Sequence, residues 1–230
     1  LLASHHGSGE DGANDAAWFQ KVNPSYVILS HGNHQSYFHP YGEVIHNASA
    51  QHNALEITTP HVLYHRKPKR LPNIQGVYTF AQSCSEYQFS ITDRAILSTL
   101  TQGHITFKGV TNVKPEIKWG TYPGRTEQTL IQEHLEGYTK SDISALFFSR
   151  KKDLAECFLN LPITSVGMPS LTAIDLRNAE LDQVANITTK LTQLITKNTQ
   201  LIRLELNGNN FNDAQVKDFQ MAWGVRGLHT

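Results

Sequence analysis

Cysteine and long apolar runs are both scarce in this sequence. The two cysteines, Cys84 and Cys157, lie far apart without metal-type spacing, so neither a disulfide framework nor a cysteine-based zinc site is indicated. Both thiols are expected to be buried. No apolar stretch approaches the ~20 residues of a membrane span, and Leu1-Leu2-Ala3 is too short for a signal peptide. Charge of one sign is missing too: 20 basic residues balance 20 acidic ones, so no global field draws nucleic acid or a membrane surface. The local exception is the basic run 65–70, read as a solvated loop broken by Pro68 and Pro72. An initiator methionine is also lacking, and the chain opens on what reads as the end of a strand, so it is expected to be a piece of a longer protein.

What is present is an ordinary globular balance, 39 % apolar and 17 % charged, in a length that suits two modest units. Histidine is unevenly placed: nine of twelve lie at or before His65. The front half reads as strands over 27–30, 56–59, 61–64, 76–80, 87–91, 95–99 and 104–107, the last two joined by a turn at Gln102-Gly103. Asp11 or Asn14 is placed to cap a helix through Trp18-Phe19, and Pro40 opens a second one. From about Val113 the texture changes. Helices are expected over 126–136 and 141–160, the latter with Ile143, Leu146, Phe147, Leu154 and Phe158, as a connector or cap.

An internal repeat follows. Leu171, Ile174, Leu176, Ala179 and Leu181 align with Leu201, Leu204, Leu206, Asn209 and Phe211, thirty positions on. Between the copies, Val184, Ile187, Leu191, Leu194 and Ile195 keep helical spacing, with Asp182 as the expected N-cap. The pattern resembles a leucine-rich repeat of the helix-backed type, L-x-x-L-x-L-x-x-N-x-L. That resemblance implies a strand-turn-helix unit whose asparagine bonds neighbouring backbone. It also implies a protein partner met on the strand face through Thr172, Asp175, Arg177, Arg203, Glu205 and Asn207. Two copies bury too little alone, so the preceding helical stretch is expected to cap them.

The N-terminal histidines pose a chemical question. Ser4-His5-His6-Gly7-Ser8 follows a short apolar strand, which places imidazoles on a strand-end loop, and imidazole is a ligand for zinc and similar metals. The ordered series of 1–8, Trp18-Phe19, 22–30 and Tyr37-Phe38-His39-Pro40-Tyr41-Gly42-Glu43-Val44 resembles the final part of a metallo-β-lactamase-fold hydrolase. The likeness is nearest to the soluble domain of ComEC-type competence proteins, and 95–107 is similar to that family's closing strand pair. It implies an α/β fold, the second half of an αββα sandwich over 1–112, followed by the connector 113–162 and the repeats over 163–230. The resemblance makes His5 a metal ligand. It gives His6 and His39 catalytic roles, His6 contacting the substrate phosphate or moving a proton and His39 on the substrate side or just behind it, and sets Gly7 and Ser8 against a substrate oxygen. His31 and His34 are expected at the rim, and His46, His52, His61 and His65 as surface or satisfied residues.

The family's main metal motif, H-x-H-x-D-H, does not occur in these 230 residues. Zinc or manganese is therefore expected only with ligands from outside this segment. The leading expectation is the C-terminal segment of a metal-dependent hydrolase that cleaves a phosphodiester or related ester and carries a leucine-rich-repeat module for a protein partner. The alternative is a non-catalytic interaction protein in which a degenerate hydrolase platform carries the repeats. Nucleic acid as the phosphate-containing substrate rests on the family likeness and on the 65–70 run alone. The cysteine usage suits a reducing compartment, the cytoplasm or a host cytosol after secretion.

Overall fold

A computed structural model of the protein describes residues 1–9, 12–32, 39–50, 56–67, 76–85, 87–110, 113–118, 126–136 and 142–226. It is a mixed α/β chain divided into two compact units, Leu1–Thr79 with Glu86–Thr126, and Phe80–Ser85 with Glu127–Thr230. Among the described residues no helix is long and apolar enough to cross a membrane.

The first unit opens with helix α1 (Ala16–Val22), whose N-terminus is capped by Asp15 rather than by Asp11 or Asn14: the Asp15 carboxylate accepts from Trp18 N at 2.6 Å. Strand β1 (Val27–Leu29) is buried at every position. Helix α2 (Gly42–Ser49) follows Pro40 and turns Val44, Ile45 and Ala48 inward. Strand β2 (Glu56–Arg66) is one long element where two were expected, with a register shift between Glu56 and His61 that accommodates Pro60. Strand β3 (Val77–Ser83) runs from the first unit into the second. Strand β4 (Tyr87–Arg94) pairs antiparallel with β2. Strand β5 (Ile96–Ser98) lies parallel to β1, and Leu2 bridges to Ile28 on the other side. Phe19, Leu29, Ile45, Leu63 and Ile96 close one core, all fully buried.

The expected turn at Gln102-Gly103 is instead a helical turn, α3 (Thr99–Gln102), capped by the Ser98 hydroxyl. The next strand, β6 (Thr106–Val110), pairs with β7 (Val113–Lys118) and not with β5.

In the second unit, helix α4 (Glu127–Glu136) buries Leu130, Ile131 and Leu135 as its spacing predicts. The expected helix over 141–160 is two elements, strand β8 (Ile143–Phe147) and helix α5 (Lys152–Leu159). The segment 113–162 is therefore no purely helical connector, since it contains β7 and β8. After α6 (Ile163–Val166) come strand β9 (Ala173–Asp175), helix α7 (Ile187–Lys197), strand β10 (Arg203–Glu205) and helix α8 (Asp213–Val225). The residue before α7 is Asn186; Asp182 lies in a separate 3-10 turn, Leu181–Gln183.

β8, β9 and β10 are parallel and in register, with Ala145, Ala173 and Arg203 in one row, Leu146, Ile174 and Leu204 in the next, and Phe147, Asp175 and Glu205 in the third. β3 joins this group antiparallel to β8. The same hydrogen bonds recur between neighbours. Phe148 N donates to Asp175 O and Arg150 N to Arg177 O; Leu176 N donates to Glu205 O and Asn178 N to Asn207 O, all at 2.8–2.9 Å. Left-handed residues recur in step at Arg150, Asn178 and Gly208. The β8 strand and α5 are thus a third copy of the repeat, with Ile143, Leu146 and Phe148 in the places of Leu171, Ile174 and Leu176.

Candidate functional site

In the first unit, three chain segments running the same way end together. Ala3 leads into Ser4–Gly7, β1 leads into Ser30-His31, and β5 leads into Thr99. The carboxyl ends of parallel strands are where α/β sheets commonly place ligands. His5, His6 and Gly7 are consecutive left-handed residues with φ of 44°, 58° and 85°. For the two histidines that conformation costs ~1–2 kcal/mol each, so the surroundings must hold it. Asn14, 2 % exposed, does so: its Oδ1 accepts from Ser4 N at 2.9 Å and its Nδ2 donates to the carbonyls of Ser4 and Ser8. Ser8 N closes onto His5 O at 2.9 Å, and Tyr41 N donates to Gly7 O at 3.0 Å.

The strained turn turns two imidazoles outward toward a third. His5 and His6 are exposed and His39 is half-buried, with ring centres 6.2 Å apart for His5 and His6, 5.5 Å for His5 and His39, and 6.5 Å for His6 and His39. His6 Nδ1 donates to the Ser30 carbonyl. That assigns the ring proton to Nδ1 and leaves Nε2 as the atom able to accept a proton or a ligand. His39 stacks on Tyr41 at 5.4 Å, and the Arg66 guanidinium lies over the other partner of that stack, 5.2 Å from the Tyr41 ring centre. A cation therefore adjoins the ring on which His39 stacks. Arg66, read with the solvated basic run, belongs to the end of β2, as does the buried His65; Lys69 and Arg70 lie outside the described residues.

Gly7 and Ser8, expected to meet a substrate oxygen, are buried. A Cβ on Gly7 would stand 2.6 Å from Pro40 Cβ, so this glycine lets the turn pack on the segment that carries His39. His31, expected at the rim, is 8 % exposed, and Ser98 Oγ donates to its Nε2 at 2.8 Å. Burial, with the nearby His39 and His6, pushes its pKa down to about 4 against the pull of the Gly32 carbonyl. It is a neutral clamp: its backbone N donates to Thr99 Oγ1 at 3.1 Å and ties β1 to β5 beside Ser30. His61 and His65 are buried: His61 Nε2 donates to Ile96 O at 2.7 Å, and His65 Nε2 bonds Ser90 Oγ at 2.8 Å while its Nδ1 donates to Arg66 O at 3.1 Å. His34 and His52 lie outside the described residues. Cys84 is exposed and Cys157 half-buried, which corrects the expectation of buried thiols.

Sequence reasoning missed Asn14, Ser98 and Thr99 at this site. Nothing local marks them: Asn14 holds backbone 6 and 10 residues before it, and Ser98 and Thr99 meet His31 across 67 and 68 residues. As for metal, imidazole is a suitable donor for zinc. Yet no three His, Cys, Asp or Glu residues among those described are placed to share an ion. The described residues do not complete a metal site by themselves.

In the second unit, Asn209 is 1 % exposed and spans two repeats. Its Oδ1 accepts from Ala179 N at 3.0 Å and Leu181 N at 3.2 Å, and its Nδ2 donates to Leu176 O at 2.8 Å and Leu206 O at 2.7 Å. The outward strand face carries two ion pairs, Arg177 with Asp175 at 2.7 Å and Arg203 with Glu205 at 2.8 Å. Arg177 holds the Asp175 carboxyl below its ordinary pKa, with burial opposing and Arg203 adding to the effect. None of the protein-family models, curated proteins or solved structures compared with this sequence matches it.

Proposed function

We propose that this chain supplies the phosphate-facing part of a hydrolase of the metallo-β-lactamase type, acting on a phosphodiester or related ester. The observation that carries the reading is the convergence of His39 with His5 and His6 of the strained turn at parallel strand ends, with Arg66 over the Tyr41 ring. In this reading His6 Nε2 takes a proton at the substrate, its opposite nitrogen being fixed by Ser30, His39 faces the substrate, and His5 would be one ligand of the metal. Zinc or manganese enters only with further ligands from outside these residues, and no step assigned to this chain depends on it. The test is hydrolysis of bis(p-nitrophenyl) phosphate by the native polypeptide that carries this sequence, with its metal content measured. His6→Ala and His39→Ala are each expected to lower kcat at least ~100-fold. Full activity in His5→Ala sinks the reading.

A second reading, favoured by the Asn209 ladder and the in-register strands, is that the second unit is a leucine-rich-repeat module that binds a protein partner on its strand face. Asp175, Arg177 and Asn207 would supply polar contacts there. Affinity for a partner isolated with the native chain is expected to fall at least ~10-fold in Arg177→Glu. Unchanged affinity in that variant, and in Asn207→Ala, excludes this face.

A further inference from the structure

β10 pairs with β9 on one side, and no other described strand pairs with it. On the paired side, Ile202 N and Arg203 N both donate to Thr172 O, and the carbonyls of Glu205 and Asn207 accept from Leu176 N and Asn178 N, just after β9. Backbone direction alternates along a strand, so Leu204 and Leu206 aim N–H and C=O toward the opposite edge. The side chains on that edge are poorly covered. Leu204 and Leu206 are half-buried where their counterparts Leu146, Ile174, Phe148 and Leu176 are buried, and Ile202 is 77 % exposed. An open groove of ≈ 770 Å³ lies beside them, lined by Ile202, Leu204, Leu206, Phe211, Phe219 and Trp223.

We propose that a second copy of this chain covers this edge, its β10 antiparallel to the first across a two-fold axis at Leu204. The sequence of 202–206, Ile-Arg-Leu-Glu-Leu, is complementary to its own reverse. In this register Arg203 faces Glu205 of the second copy, Ile202 faces Leu206, and Leu204 faces itself. Leu204 aims its backbone outward, so the central pair exchanges two hydrogen bonds. The neighbouring registers that keep the same faces together are self-defeating: a shift by two residues sets Arg203 against Arg203 one way, or Glu205 against Glu205 the other. Two-fold symmetry also brings α8 toward its own copy, over the groove, and so covers Val216, which is 40 % exposed. The strand face continues across the axis and stays open to a partner.

The experiment is sedimentation equilibrium of the 230-residue chain and three variants, with circular dichroism to confirm that each variant folds. The chain is expected to sediment at twice its 25.8 kDa. Arg203→Glu sets like charges opposite each other, as does Glu205→Arg, and each is expected to weaken the dimer at least ~10-fold. The double variant R203E/E205R restores the pairing and the dimer. The two single variants mixed together form a heterodimer, because their charges complement each other only across the axis. A wild-type chain that sediments as one copy at high loading concentration overturns the proposal. So does a dimer indifferent to both single changes, which would place the contact elsewhere.

Discussion

Asn209 holds four backbone groups from two adjacent repeats inside the second unit. Asn209→Ala strands all four, three of them in fully buried bonds, and is expected to cost about 3–4 kcal/mol, read as a lower urea midpoint with an unchanged slope. Gly7 carries a different burden. Gly7→Ala meets both a left-handed φ and the Pro40 side chain, whereas Gly12→Ala meets a similar φ, +72°, with only Asp15 Oδ2 at 3.9 Å. The expected losses are more than ~2 kcal/mol for Gly7 and about 1 kcal/mol for Gly12. Equal losses at the two positions would mean that the close approach of Pro40 does not matter.

At the scale of elements, the repeat was legible over β9, α7 and β10 and illegible over β8. The reason is physical. The motif begins L-x-x-L, and in the β8 copy that spacing is carried by Ile143 and Leu146 with Phe147 next to them, which is also the i, i+3, i+4 spacing of a helix face. This copy has Lys151 where the others have Ala179 and Asn209, a long charged side chain in place of a small or amide one. Register with β9 settles what periodicity leaves ambiguous. The site divides in the same way. Adjacent His5 and His6 stand out in the sequence, but Asn14, His31 and Ser98 act through contacts 6 to 67 residues distant, which spacing does not reveal. If β8 is a repeat strand, Phe148 occupies the place of Leu176. Phe148→Ala, which removes the ring stacked on Phe158 at 5.2 Å, is expected to cost about 3–5 kcal/mol. Phe148→Leu, the residue of the next copy, is expected to cost less than ~1.5 kcal/mol in the same urea titration. A loss as large for Leu as for Ala would mean that this position does not follow the repeat.

Over the whole molecule, the buried histidines give the two units different responses to acid. His65, fully buried beside Ser90, is pushed down to about 4 by burial, against smaller upward effects of the Arg66 carbonyl and Glu43. His31 is likewise lowered to about 4. Both belong to the first unit. An unfolded chain binds these protons near the ordinary value of 6.5, so the stability that the neutral rings allow is complete above 6.5 and is lost as pH falls from there toward 4. Each contributes up to roughly 3 kcal/mol over that window. In the second unit Asp175 is lowered from 3.8 by Arg177, so its contribution is intact above that value and is lost only as pH falls further. Acidification from pH 6.5 to 4 is therefore expected to speed amide hydrogen exchange in β1 and β5 relative to β9 and β10, once intrinsic rates are corrected for pH. His65→Gln keeps a hydrogen-bonding group but cannot titrate, so it is expected to flatten the response of the first unit. If β9 loosens in step with β1, or the variant leaves the profile unchanged, the acid sensitivity does not reside in these imidazoles.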